Sequence, residues 1–300
     1  MTVPEREHAR RIHRTAWSHF KKRLAGNLVF GFSVAILASF TFFAIWPQSV
    51  APYDPTVNHL GLRHEPPGFL GPDGQVRIMG TDHMGRDVWS RLVWGSRASL
   101  TVGYTGLLIG GVAGVVLGLV AGFRGGWWDR IIMRVVDAYL SFPYILIAIV
   151  WATVIGTTVT NLILIVAVRG WVEFARVARA ETLSIREREY VMAASAVGAG
   201  DARIIWRHVL PNMMAPILVV AGFQLGRLII LEGTLSFLTI GIRPPTPAWG
   251  SMLNDARQYI ISAWWTALFP GMAISLMVMA ANFLGDNLRD YLDPSLRGRG

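Results

Sequence analysis

Six stretches of this chain run apolar for long enough to cross a lipid bilayer: about 24 to 46, 99 to 123, 134 to 156, 159 to 178, 213 to 240 and 266 to 285. A helix needs about 20 mostly apolar residues for this, and it satisfies its backbone N–H and C=O groups internally where no water reaches them. The pattern predicts an all-α membrane protein with six transmembrane helices. It divides the chain into a tail over 1–23, a first helix over 24–46, an outer loop over 47–98, a five-helix core over 99–285 carrying a long polar loop at about 180–212, and a second tail over 286–300. The fourth run has an apolar centre from Leu162 to Val168, but Arg169, Glu173, Arg176 and Arg179 crowd its second half, so it is expected to leave the bilayer as a continuing helix.

The second run carries Gly106, Gly110, Gly114, Gly118 and Gly122 at every fourth position. That spacing puts all five near one helix face, where a neighbouring backbone can approach closely; lipid offers no hydrophobic drive for helix association, so close packing has to supply it.

Lysine and arginine then set the orientation. With the N-terminus inside, the cytoplasmic segments hold Arg6, Arg10, Arg11, Arg14, Lys21, Lys22 and Arg23, then Arg124, Arg130 and Arg134, then seven arginines from Arg169 to Arg207, then Arg289, Arg297 and Arg299. These are most of the 28 basic residues, as the positive-inside rule requires of a chain with both ends in the cytoplasm. The first apolar run begins too late and is too long for a cleaved signal peptide, and reads as a retained anchor.

Composition agrees: 53% of the residues are hydrophobic and only 16% charged. The net charge of +9 is explained by membrane orientation, since the basic residues lie between apolar runs, and no nucleic-acid partner is expected. Cysteine is absent, which removes thiol nucleophiles and disulfides. The two lysines, Lys21 and Lys22, lie in the tail, so no Walker phosphate loop is present; the near miss at Gly80-Thr81-Asp82-His83-Met84-Gly85-Arg86 lacks its lysine and faces outward. The seven histidines form no H-E-x-x-H pair, and no G-x-S-x-G elbow occurs. No catalytic residue and no metal site are expected.

One polar segment stands apart. Tyr190 to Ala196 is a small-residue helix, Gly198-Ala199-Gly200-Asp201 a break, and the stretch up to His208, Leu210 and Pro211 a second short helix that proline is expected to stop. Asp201 is expected to cap that second helix through its carboxylate. Ala193, Ala194 and Gly198 leave a surface poor in side chains, suited to a cleft on a partner.

This segment resembles the coupling loop of bacterial ABC importer permeases, whose pattern is Glu-Ala-Ala, three residues, Gly, nine residues and Ile-x-Leu-Pro. It falls here on Met192-Ala193-Ala194, Gly198, His208, Leu210 and Pro211, with Met192 and His208 as departures. Three further stretches are similar to the C-type permease subunit of the dipeptide and oligopeptide branch. They are Gly80-Thr81-Asp82 with Gly85-Arg86-Asp87 and Ser90-Arg91-Leu92; Leu235-Ser236-Phe237-Leu238 with Gly241, Pro244-Pro245 and Trp249-Gly250; and Gly285-Asp286 with Leu288-Arg289-Asp290 and Leu292-Asp293-Pro294.

The resemblance implies the type I importer permease fold in a bacterial inner membrane. It also implies a B-type permease partner, two cytoplasmic ATPases that hold the ATP and Mg, and an extracytoplasmic solute-binding protein. Tyr190, Ala193, Ala194, Gly198, Asp201, His208, Leu210 and Pro211 would then form the ATPase-coupling loop. Asp82, Arg86, Asp87 and Arg91 would form a binding-protein or gate region, with Arg86 to Ser99 expected to lie along the membrane surface. Arg227 and Glu232, ionisable and within the fifth span, are singled out as an intramembrane polar pair; five apart, they do not stack as an i,i+4 pair, and structural pairing across helices is expected in preference to substrate contact. The competing reading is a stand-alone secondary transporter or channel, which six spans and these two charges would also suit. The cargo, whether dipeptide, oligopeptide, nickel complex, glutathione or sugar-like compound, has no signature in the chain.

Overall fold

The computed structural model describes residues 28–292. The basic tail, the first residues of the first span and the Asp293-Pro294 end of the last motif lie outside the described residues. Helix α1 covers Leu28–Ile45, and only Phe30 and Ser33 on it are buried, as suits a helix at the lipid-facing periphery. Phe40 meets the Trp249 ring edge-on at 5.1 Å, and the Thr41 and Tyr104 hydroxyls lie 2.9 Å apart. The loop that follows folds into two 3₁₀ turns and a two-residue antiparallel pair, β1 (Phe69–Leu70) with β2 (Val76–Arg77), in the register Phe69 to Arg77.

Helix α2 runs unbroken from Val88–Arg124, 37 residues and so about 55 Å. That is longer than the roughly 30 Å hydrocarbon core of a bilayer. The expectation that Arg86 to Ser99 lies along the membrane surface is corrected: Val88 and Leu92 are buried in the same core as Leu100 and Trp249, and Val93 is fully buried too. Arg91 and Arg97 depress the local hydropathy and hid the start of the helix.

A second correction concerns the apolar run 134–156. It is two helices, α3 (Gly126–Leu140) and α4 (Tyr144–Ile155), bent by 92°. Pro143 explains the break, since its ring disfavours helical backbone at the preceding residue. Among the described residues, four helices are long and apolar enough to span a membrane, or five with the bent pair counted as one. Helix α5 (Val159–Arg186) carries its charged half as one continuous helix of 28 residues.

Helices α2 and α5 run parallel and pack along the glycine stripe. A Cβ on Gly110 would lie 2.5 Å from the Ala167 carbonyl oxygen, one on Gly106 2.7 Å from Val166 and one on Gly122 2.7 Å from Thr182, while Gly114 and Gly118 face the Trp171 and Ala175 carbonyls still more closely. Each glycine brings backbone against backbone, which is how helices without a hydrophobic drive gain dispersion contacts.

Helix α6 is Glu189–Ala196, and α7 is Asp201–Ile204. A π-helical turn at Ile205–Val209 leads directly into α8 (Leu210–Phe237). Pro211 does not stop the chain as the sequence suggested: it falls at the start of α8, and the wide turn before it absorbs the change in hydrogen-bond register. Helix α9 covers Trp249–Ala256 and α10 covers Trp265–Leu292. Helices α8 and α10 pack antiparallel, with a Cβ on Gly222 only 2.7 Å from the Gly285 Cα.

Candidate functional site

The loop at one end of the bundle is built to be rigid. Val191, Ile204 and Val209 are buried together with Phe174, Ile185 and Met213, so the loop is anchored to α5 and α8. Helix α6 ends in a Schellman arrangement: the Ala199 N–H donates to the Ala194 carbonyl at 3.0 Å and the Gly198 N–H to the Ser195 carbonyl at 3.0 Å. Gly198 holds φ at +84°, the left-handed conformation that this ending requires. Tyr190 and His208 close the loop from its two ends, ring centroids 5.9 Å apart.

The expected cap is different in the structure. Gly200 occupies the cap position, and Asp201 is the first residue of α7 with no side-chain capping bond. Its carboxylate still lies at the positive end of a short helix. Ala193 and Gly198 are exposed, Ala194, His208 and Leu210 half-buried, and Pro211 is exposed.

Two residues that sequence reasoning passed over complete this surface. Val197 is 86% exposed and Trp206 71% exposed, with Met192 beside them in the same loop. An apolar side chain among arginines in a segment assigned to water was the available signal. A rigid loop that offers such side chains to solvent presents an apolar contact surface.

At the opposite end, Asp82 gathers the outer loop. Its Oδ1 accepts from the Met84 N–H at 2.8 Å and the Arg86 N–H at 3.0 Å, and its Oδ2 from Arg86 Nε at 2.8 Å and from Arg91 Nη1. Asp255, near the end of α9, pairs with Arg86 at 3.5 Å and with Arg91 at 3.4 Å. Burial would raise the Asp82 carboxyl, but Arg91, Arg86 and the two backbone N–H groups outweigh it and hold it below the ordinary carboxylate range. Asp87 serves differently. It caps α2 by accepting from the Ser90 N–H at 2.7 Å, and burial pushes its carboxyl up despite that bond.

The stretch ending at Trp249-Gly250 and the start of α10 meet the first motif here. The Trp249 indole N–H donates to the Leu92 carbonyl at 3.0 Å, and the Trp265 indole N–H to the Thr81 carbonyl at 3.1 Å. Gly80 and Gly85, both with positive φ, leave no room for a side chain against the Glu65 and His59 carbonyls. The structure thus brings Asp82, Arg86 and Arg91 into one ion network and gives Asp87 a capping role.

Arg227 pairs across helices as expected, while Glu232 enters no such ion pair among the described residues, and the two do not meet each other. Arg227 reaches Glu173 of α5 at 3.7 Å and the Gln224 Oε1 at 3.4 Å, whereas Glu232 is fully buried and accepts from the Ser236 hydroxyl at 2.7 Å. Their spacing of five turns the two side chains to different neighbours.

A bundle of this kind, with a rigid loop at one end and a buried ion network at the other, is the architecture of a membrane transport component. Residues 114–298 match the family described as binding-protein-dependent transport system inner membrane component, and the chain belongs to that family. It is 38% identical over 281 residues to the dipeptide transport system permease protein DppC of Alkalihalophilus pseudofirmus, covering 94% of this chain and 90% of that one. It is 39% identical over 284 residues to the di/tripeptide transport system permease protein DppC of Pseudomonas aeruginosa, covering 94% and 91%. The glutathione transport system permease protein GsiD of Pectobacterium atrosepticum is 39% identical over 287 residues, covering 95% and 93%. Among solved structures, a chain of the MetNI methionine ABC transporter in its inward-facing conformations aligns with a TM-score of 0.50 at 19% identity, over 69% of this chain and 94% of that one, and shares the fold.

Proposed function

We propose that this chain is one half of the translocation path of an ATP-driven importer of di- or oligopeptides or related small solutes. In this reading it crosses the inner membrane six times, with α3 and α4 as one broken span and α5 as another, and both termini lie in the cytoplasm. A B-type permease supplies the other half of the path. Two cytoplasmic ATPases hold ATP and Mg, and this chain performs no catalysis. An extracytoplasmic solute-binding protein delivers cargo to the outer end, where Asp82, Arg86, Asp87 and Arg91 support the docking surface or gate.

The observation that carries this reading is the loop over 190–212. Its buried face is fixed to α5 and α8 by Val191, Ile204 and Val209, while Val197 and Trp206 project into solvent. A movement imposed on such a loop is transmitted to both helices as a rigid displacement, because packed cores do not deform continuously. The names of the dipeptide, di/tripeptide and glutathione relatives support the class of cargo.

Reconstitution tests it. Proteoliposomes holding this chain with both ATPases and the second permease should take up labelled alanyl-alanine only with ATP inside the ATPase compartment and the binding protein outside. Uptake by this chain alone, driven by an ion gradient, would contradict the importer and favour a secondary transporter.

A further inference from the structure

A cavity of about 270 Å³ lies between α4, α5 and α8, part-way between the coupling loop and the outer ion network, and neither described end accounts for it. Tyr144, Arg169, Gln224, Arg227 and Thr234 supply its polar lining, among leucine and isoleucine side chains.

Its polar groups are mostly donors, and two of them are unused. Gln224 is 1% exposed; its Oε1 accepts from Arg227, and its buried Nε2 has no partner. The buried Arg169 Nη1 likewise has no partner, and Arg169 enters no ion pair among the described residues, its guanidinium standing 5.8 Å from the Tyr144 ring centroid. The Tyr144 hydroxyl is committed to the Ile165 carbonyl at 2.5 Å. Of the two arginines, only Arg227 faces a carboxylate, that of Glu173. Arg169 lies between Ala167 and Trp171, which pack on Gly110 in the middle of the α2 glycine stripe, so it stands inside the bundle and not beyond it as its place in the charged half of the run suggested. One positive charge and an amide donor are therefore left there without a counterpart, where ionisable side chains are costly and mark substrate or ion pathways.

We propose that this cavity receives the carboxylate of the transported solute as it passes through the permease. A carboxylate matches the excess of one positive charge, accepts from both the Arg169 guanidinium and the Gln224 amide, and brings an apolar remainder against the leucine and isoleucine walls. The site deepens the importer reading and rests on it: it selects solutes with a free carboxylate, and excludes the corresponding amides, after the binding protein has released them.

The absence of cysteine from the chain makes the test direct. Thr234→Cys places a single thiol in the cavity wall of the assembled complex. Its modification by the anionic reagent 2-sulfonatoethyl methanethiosulfonate is compared with that by the cationic 2-(trimethylammonium)ethyl analogue, both read on this chain by mass spectrometry. The expected result is modification about tenfold faster by the anion than by the cation. Adding Arg169→Gln removes the preference, and alanyl-alanine slows labelling while alanyl-alanine amide does not. No charge preference, or equal protection by dipeptide and amide, would overturn the proposal. Uptake of alanyl-alanine is followed in the same proteoliposomes. Uptake without protection overturns this site, whereas no uptake overturns the peptide reading and leaves the charge preference to decide whether the cavity takes anions.

Discussion

The Asp82 carboxylate and the Arg91 guanidinium form a buried pair across nine residues of chain, and that pair fastens the outer loop onto the first turn of α2. Removing one partner of a buried pair leaves the other charge without compensation, at a cost of about 3–5 kcal/mol. Asp82→Asn is expected to lower the thermal stability of the solubilised protein by an amount in that range at pH 7.

The same pair sets a pH dependence. The folded-state pKa of Asp82 is lowered, so its contribution is fully present above the unfolded carboxylate value of about 3.9 and is lost as pH falls through the lower folded value. Melting curves from pH 7 to pH 3 should show the wild-type protein losing its advantage over Asp82→Asn below about pH 4. Asp87, with its raised value, contributes with the opposite sign, and comparing the two proteins cancels it.

The glycine stripe yields a steric prediction. A Cβ at Gly118 would run into the Ala175 carbonyl and lie 2.7 Å from the Ala178 Cβ, so Gly118→Ala forces α2 and α5 apart. Overpacking of this kind costs about 1–3 kcal/mol. Gly61→Ala, at an outer position where nothing lies within 4 Å of the added carbon, should leave the melting temperature unchanged.

Trp249 joins α9 to α2 by a ring that is fully buried and by its bond to the Leu92 carbonyl. Trp249→Phe is expected to cost about 1 kcal/mol for the lost hydrogen bond. Trp249→Ala, which empties the site, should cost about 3–5 kcal/mol. Thermal unfolding of the two variants in one detergent separates the polar from the packing contribution.

The exposed tip of the 190–212 loop is a matter of association. Val197→Asp adds a charge to a side chain that touches solvent, so the fold should keep its melting temperature. Recovery of the ATPases with the variant, measured by pull-down, should fall about tenfold if the tip seats in an apolar cleft, since burying an unpaired carboxylate opposes docking.

Much of this was legible in the residues. The apolar runs located the long helices, and the four-residue glycine period identified the face of α2 that meets α5. Local signals that compete with that pattern were misread. Pro143 breaks an apolar run whose composition alone reads as one span. Pro211, read as a stop, sits at a helix start behind a π-turn. Arg91 lowers the hydropathy of a turn that is nonetheless buried, because Asp82 and Asp255, the latter 164 residues away, offset its charge there. The cavity draws on α4, α5 and α8, and no local pattern places Arg169 and Gln224 in one lining.

The central claim is that this chain works as one membrane subunit of an ATP-driven importer, gripped through the 190–212 loop. The most direct test is gentle solubilisation from the native membrane, purification of the chain and mass spectrometry of what accompanies it. Recovery of a second multi-spanning permease and a subunit with a phosphate loop, both retained by the wild type and the ATPase lost from Val197→Asp, is the predicted result. Recovery of the chain alone, with transport intact after reconstitution, would contradict it.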